Sequence, residues 1–149
     1  MIRKAVGAII YQQDNYLLVY KSNINTTLGK QTIASTWDFV KGGVEAWDAD
    51  LESALLRELK EETGSTKYRI HKQFERLLSF EFEKSIQEKI GFEKQETTMF
   101  LVEFLGKISQ LQPVDQEITR VRFVKKHTLV GTLSHADTKS YVSDLCSEL

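Results

Sequence analysis

A chain of 149 residues with 41% hydrophobic and 28% charged residues is long enough to enclose a core and too ordinary in composition to be fibrous or disordered, so one domain over 1–149 is expected. Its 20 Lys+Arg against 21 Asp+Glu exclude the general positive field that holds duplex nucleic acid. The lone Cys146 cannot close an internal disulfide, no run approaches the roughly 20 apolar residues of a membrane span, and the start of the chain lacks a signal-peptide pattern. A cytoplasmic protein with no membrane partner is expected; composition sets no oligomeric state.

Taken in chain order, Lys4 to Tyr11 and Tyr16 to Tyr20 are β-branched and apolar runs separated by a polar tetrapeptide, which predicts an antiparallel hairpin. Lys21 to Thr36 turns polar and is expected to be a long loop, of the kind that often binds ligands. Trp37-Asp38-Phe39-Val40 is a short strand ended by Lys41-Gly42-Gly43. Ala49 to Thr63 has no Gly or Pro, is rich in Leu, Glu and Ala, and predicts a helix stopped by Gly64. Tyr68 to Phe82, Thr97 to Leu105 and Ile118 to Val124 read as strands, with a charged linker at Glu83 to Glu96. Ser134 to Leu149 closes the chain as an amphipathic helix with Ser134 as N-cap, Tyr141, Val142, Leu145 and Leu149 on one side, and Cys146 buried as a small hydrophobe. Strands interleaved with only two long helices predict an α/β fold, a mixed sheet covered by helices on both faces.

Chemistry is concentrated on the Ala49 to Thr63 helix. At about 100° per residue, Leu51, Ala54 and Leu55 form an inward stripe that Glu58, Glu61 and Glu62 continue one turn later, while Ser53, Arg57 and Lys60 form a solvated face and Leu56 and Leu59 widen the apolar side. Glu-rich helices are ordinarily exposed and paired to Arg or Lys at i+4, a spacing that Arg57 and Glu61 have. Three carboxylates on the core-side edge repel one another, however, and a divalent cation resolves that conflict. Oxygen-only ligands select a hard ion, Mg²⁺ or Mn²⁺. Lys41-Gly42-Gly43 immediately before adds a backbone that approaches a ligand closely and a cation beside it, which suits a diphosphate bridged by metal.

The spacing Gly43, five residues, Ala49, seven residues, Arg57-Glu58-Leu59-Lys60-Glu61-Glu62-Thr63-Gly64-Ser65 resembles the Nudix box, G-x5-E-x7-R-E-U-x-E-E-x-G-U. Ala49 stands where the box has its first glutamate, with Asp48, Asp50 and Glu52 as neighbouring acids, and Ser65 replaces the last aliphatic residue. Trp37 to Gly43 resembles the W-x-F-P-K/Q-G-x segment of dinucleoside polyphosphate hydrolases and RNA pyrophosphohydrolases, with Val40 in place of proline. Thr98 to Glu103 resembles their central strand, and Glu117 to Val124 their E-x5-W-V segment, with Phe123 for tryptophan.

The resemblance implies a Nudix fold, an α/β/α sandwich, and hydrolysis of a phosphoric anhydride. It implies a metal site of Glu58, Glu61, Glu62 and Glu117, Arg57 orienting a glutamate, and Lys41, Gly42 and Gly43 at the substrate. A dinucleoside polyphosphate is the expected substrate. The alternatives are an RNA 5′ end, another nucleotide such as ADP-ribose or a nucleoside triphosphate, or a nucleotide-binding module impaired by Ala49. An RNA substrate needs a path for a single strand, which the balanced net charge does not support on a large scale. His71, His127 and His135 are isolated and lack metal-ligand spacing, and Trp37, Phe80, Phe82 and Phe92 are read as packing residues rather than base-stacking ones.

Overall fold

The computed structural model describes residues 1–26, 29–112 and 118–149, and of 22–26, 29–34 and 118–119 the backbone alone. Strands β1 (Ile2–Gln12), β2 (Asn15–Thr26), β3 (Gly29–Asp38) and β4 (Val40–Gly43) precede helix α1 (Leu51–Thr63). They are followed by β5 (Tyr68–Glu81), α2 (Lys84–Ile90), β6 (Lys94–Phe104), β7 (Ile118–Lys125), α3 (Lys126–Thr132) and α4 (Ala136–Leu145). The sheet runs β3-β2-β1-β6-β5, with β4 beside β1 and β7 beside β2. β1 and β6 are parallel and the other pairs antiparallel, so the sheet is mixed.

Alternation along β1 sends Val6, Ala8 and Ile10 to the face covered by Ala54, Leu55 and Leu59 of α1. Ile9 goes to the other face, where Leu129, Tyr141, Val142 and Leu145 of α3 and α4 pack. Because both faces are covered, β1 reads as a continuous apolar run, with six successive residues buried. This is the expected α/β/α layering.

The sheet is split where the site lies. Asp38 ends the pairing of β3 with β2, and Val40 begins the pairing of β4 with β1. Phe39 between them belongs to neither ladder. Asp38 and Lys41 meet across this break.

Four expectations are corrected. The polar stretch 21–36 is not a loop: β2 pairs with β3 from Val19–Asp38 out to Thr26–Gly29, because local hairpin pairing satisfies the backbone without any apolar alternation. The segment 83–96 holds α2, ended by Gly91 in the left-handed region at φ 80°, and the start of β6; Phe82 N–H donates to the Glu93 carbonyl across it. Ser134 does not cap α4. Its Oγ accepts the Trp37 N–H at 2.9 Å, and its own N–H donates to the Trp37 carbonyl, which ties the last helix to β3. Cys146 is exposed, since α4 gives way to a short 3-10 turn at Cys146–Glu148 that turns it off the buried stripe.

Candidate active site

Helix α1 begins two residues later than its composition indicates, because Asp50 is extended and its Oδ1 caps the Ser53 N–H at 2.7 Å. It ends at Gly64, whose φ of 73° lets its N–H close on the Lys60 carbonyl. Between these stops Glu58 (8% exposed) and Glu62 (1%) point inward with Leu55 and Leu59. The Glu61 side chain is half exposed, so the three acids span the helix edge from core to solvent rather than all facing the core. Leu56 is exposed as well.

Arg57 is not part of a solvated face. The loop between β4 and α1 folds back over it through a turn in which Asp48 N–H donates to the Glu45 carbonyl at 3.0 Å and Glu45 N–H donates to Asp48 Oδ2 at 2.8 Å. Asp48 receives both arms of the guanidinium, Arg57 Nε at 3.0 Å and Nη2 at 2.8 Å, the bidentate geometry that makes such pairs strong. Nη2 also reaches the Gly43 carbonyl at 3.0 Å, while Nη1 donates to Glu58 Oε1 at 2.8 Å and to Glu61 Oε2 at 3.4 Å. The guanidinium thus clamps loop to helix and fixes two of the three glutamates. Hydrogen bonds from Arg57, then from the Glu45 backbone, hold the Asp48 carboxyl at about 2, and Asp48 in turn raises the pKa of Arg57.

The glycines are explained by the same contacts. A Cβ on Gly42 would lie 1.9 Å from the carboxyl carbon of Glu58, so the carboxylate occupies the space that any other side chain would fill. Counted from Gly42 rather than Gly43, five residues lead to Asp48 and eight more to Arg57. One inserted residue would put the first acid of the box at Asp48 instead of position 49, and Asp48 is the acid that contacts Arg57. Two adjacent glycines allow both counts; contact with Arg57 decides between them.

Lys41 does not join this group. It turns to the other side of β4, where it is buried and bonded to Asp38 at 3.0 Å and to Thr138 Oγ1 at 3.3 Å, with the Phe80 ring 5.8 Å away. Burial opposes the Asp38 charge, but Lys41, Lys21 and His135 outweigh it and hold that carboxyl below its usual range; burial pulls Lys41 below the usual ammonium range, against the attraction of Asp38. Glu117 lies outside the described residues. On the same connection, Gln112 N–H donates to the Thr63 carbonyl at the end of α1. His71 pairs with Glu103 at the surface, and Trp37 packs against Tyr20.

Among the described residues no group of three Asp, Glu, His or Cys side chains is placed to hold a metal ion by itself. Mg²⁺ does not require one, being held by a few carboxylates with water and phosphate oxygens completing the octahedron. An all-oxygen donor set on one helix edge, with the Glu58 carboxylate seated against the bare backbone of Gly42, fits such an open site.

A NUDIX domain model matches residues 1–145 of the chain. An RNA pyrophosphohydrolase from a Nitratiruptor species is 36% identical over 74 residues, covering 49% of this chain and 47% of that protein, so the match spans about half of the relative's length. Among solved structures, a MutT protein from Methanosarcina mazei Go1 superposes with a TM-score of 0.74 at 21% identity, over 99% of this chain and 94% of that one. An Ap4A hydrolase from C. elegans superposes with 0.68 at 19%, over 97% and 96%. Both likenesses are of fold. Among the described residues no helix is long and apolar enough to cross a membrane.

Proposed function

The chain belongs to the NUDIX domain family, and from that premise we propose that it hydrolyses the phosphoric anhydride of a nucleotide-linked compound with the help of Mg²⁺ or Mn²⁺. The observation that carries the reading is the Asp48–Arg57–Glu58 chain of hydrogen bonds set against Gly42. A reading of the chain as an impaired binding module rests on Ala49, and the acid supplied by Asp48 removes its motive.

In this assignment Glu58, Glu61 and Glu62 hold the cation from α1, and Glu117 is the fourth ligand. When bound, the cation offsets charge on the phosphate oxygens and lowers the pKa of the attacking water. Arg57 fixes the carboxylates of Glu58 and Glu61 before substrate arrives, so that little reorganisation is left for the reaction. Gly42 and Gly43 let phosphate approach the backbone. The proton of the attacking water passes to a carboxylate of the same set, with Glu58, Glu62 and Glu117 as the candidates. Lys41, committed to Asp38, is given a structural role, holding β4 against α4.

Dinucleoside polyphosphates of the diadenosine tetraphosphate type are supported by the Trp37 to Gly43 segment. RNA 5′ ends are the second reading, favoured by the Nitratiruptor relative. The test is a panel of diadenosine tetraphosphate, ADP-ribose, nucleoside triphosphates and 5′-triphosphorylated RNA with Mg²⁺. Cleavage of at least one member that stops on chelation upholds the reading; nucleotide binding without cleavage of any member defeats it.

A further inference from the structure

A diphosphate brought against the α1 carboxylates is itself anionic, and charge beyond what the metal offsets calls for a side-chain cation. Lys41 does not supply it, being closed in with Asp38 and Thr138 on the other side of β4. Arg57 does not either, since its donors are shared among Asp48, Gly43, Glu58 and Glu61. Arg3 has the phase of Ile9 on β1, which puts it on the α4 face, where it donates to Gln95.

Lys4 is the cation on the correct face. It stands two residues before Val6 on β1, so strand alternation puts it on the side covered by α1. Val6 is paired with Gly42, the residue against which the Glu58 carboxylate is seated. Lys4 is thus one strand over from Gly42 and two residues along, about 4.8 Å and roughly 7 Å. Its carbonyl accepts the Val44 N–H at 2.9 Å, which ties it to the start of the loop that carries Asp48. Glu96 on β6 is in register with Lys4, and Lys4 Nζ donates to Glu96 Oε1 at 2.6 Å.

We propose that Lys4 is a substrate-binding residue whose ammonium takes a phosphate oxygen of the diphosphate, with Glu96 as the positioning residue that holds it beside the α1 carboxylates. The proposal rests on the anhydride-hydrolase reading above and adds a residue to that site. The two ends of the pair are unlike: the Lys4 side chain is 66% exposed and that of Glu96 19%. A pair so open to water adds little to stability, but its better-buried carboxylate gives the lysine a fixed direction. An ammonium has three donors, and among the described residues Glu96 is the one acceptor that Lys4 has. The remaining donors are left for a ligand. A compact point charge suits a phosphate oxygen, whichever way the group turns, better than the two-pronged arginine fork.

The experiment is isothermal titration with adenosine 5′-(α,β-methylene)diphosphate and Mg²⁺, a ligand whose P–C–P link leaves no anhydride to cleave, at low and at high salt. Lys4→Met keeps the stem and removes the charge, and at low salt it is expected to bind about tenfold more weakly. At about 1 M salt, where the screening length falls to about 3 Å, the gap should close to within about threefold. Lys4→Arg should recover most of the affinity, because the charge returns. Glu96→Gln should lose less than Lys4→Met, because it keeps the ammonium and weakens only its anchor. On whichever anhydride the unmutated protein cleaves, kcat/KM should fall in step with affinity across the three variants. A loss as large in Glu96→Gln as in Lys4→Met, or one that salt does not change, marks the pair as structural and overturns the assignment. So does equal affinity in Lys4→Met, or no binding by the unmutated protein. Absence of any anhydride cleavage with the binding results as expected overturns the hydrolase reading alone.

Discussion

Strand β4 carries two charge clusters that differ in everything except their place in the sequence. On one side Lys41 is closed in with Asp38, Thr138 and Phe80. On the other, one residue along, Gly42 opens onto Glu58 and the Arg57 clamp, which runs out to the half-exposed Glu61. A buried ion pair is costly to form and costly to break, and offers nothing to a ligand unless it opens. A charge network at the helix edge is only partly desolvated and keeps carboxylate oxygens within reach of water and phosphate. Charge count is therefore a poor guide to chemistry: the lysine beside the glycines is closed in by its partners, and only the carboxylates are assigned to the proposed reaction.

Breaking the closed cluster should give the largest effect on stability. Asp38→Ala leaves Lys41 buried without its carboxylate and is expected to cost about 3–5 kcal/mol, measured as a drop in the urea midpoint. Breaking the open cluster should act on turnover instead. Gly42→Ala places a methyl group where the Glu58 carboxylate lies. The carboxylate is the free end of a flexible side chain, so it can move aside, and the expected result is a fall in kcat of about 100-fold with a near-normal urea midpoint. If Gly42→Ala unfolds the protein while Asp38→Ala does not, the contrast between the clusters is reversed.

The loop acid gives a smaller and sharper effect. Asp48→Asn keeps the shape and removes the charge that holds Arg57; a loss of about 10–100-fold in kcat is expected, as for other residues that orient a ligand side chain, with recovery in Asp48→Glu. Adding Ala49→Glu to Asp48→Asn should restore less, because position 49 is displaced by the extra loop residue; full recovery by that pair of changes would return the first acid to position 49. The smallest effect is on titration. Asp48 has a depressed folded-state pKa, so the stabilisation it gives is fully present above the ordinary value of 3.8 and is lost only as pH falls through about 2. Carboxyl NMR should find the midpoint near about 2, and Arg57→Ala should return it toward 3.8.

Much of the fold is legible in the sequence, for reasons tied to particular residues. Helix α1 announces itself through its leucine stripe and Gly64, and β1 through six apolar residues that only a doubly covered strand would carry. The inward turn of Glu58 and Glu62 follows from helical spacing. The position of Arg57 does not, because a helical wheel knows nothing of a loop folding back, and the role of Asp48 is hidden because two adjacent glycines permit two registers. The outer β2–β3 hairpin looks like a loop in sequence since its polar residues show no alternation. Nothing in the sequence marks the pairing of Asp38 with Lys41, because the two meet across the break between β3 and β4 at Phe39.

The most direct test of the metal-site assignment is turnover by Glu62→Gln, since Glu62 is the innermost of the three acids on α1, 1% exposed. In a Mg²⁺-supported assay on whichever anhydride the unmutated protein cleaves, a loss of at least about 100-fold is predicted, with an unchanged circular dichroism spectrum. Turnover equal to that of the unmutated protein would contradict the assignment.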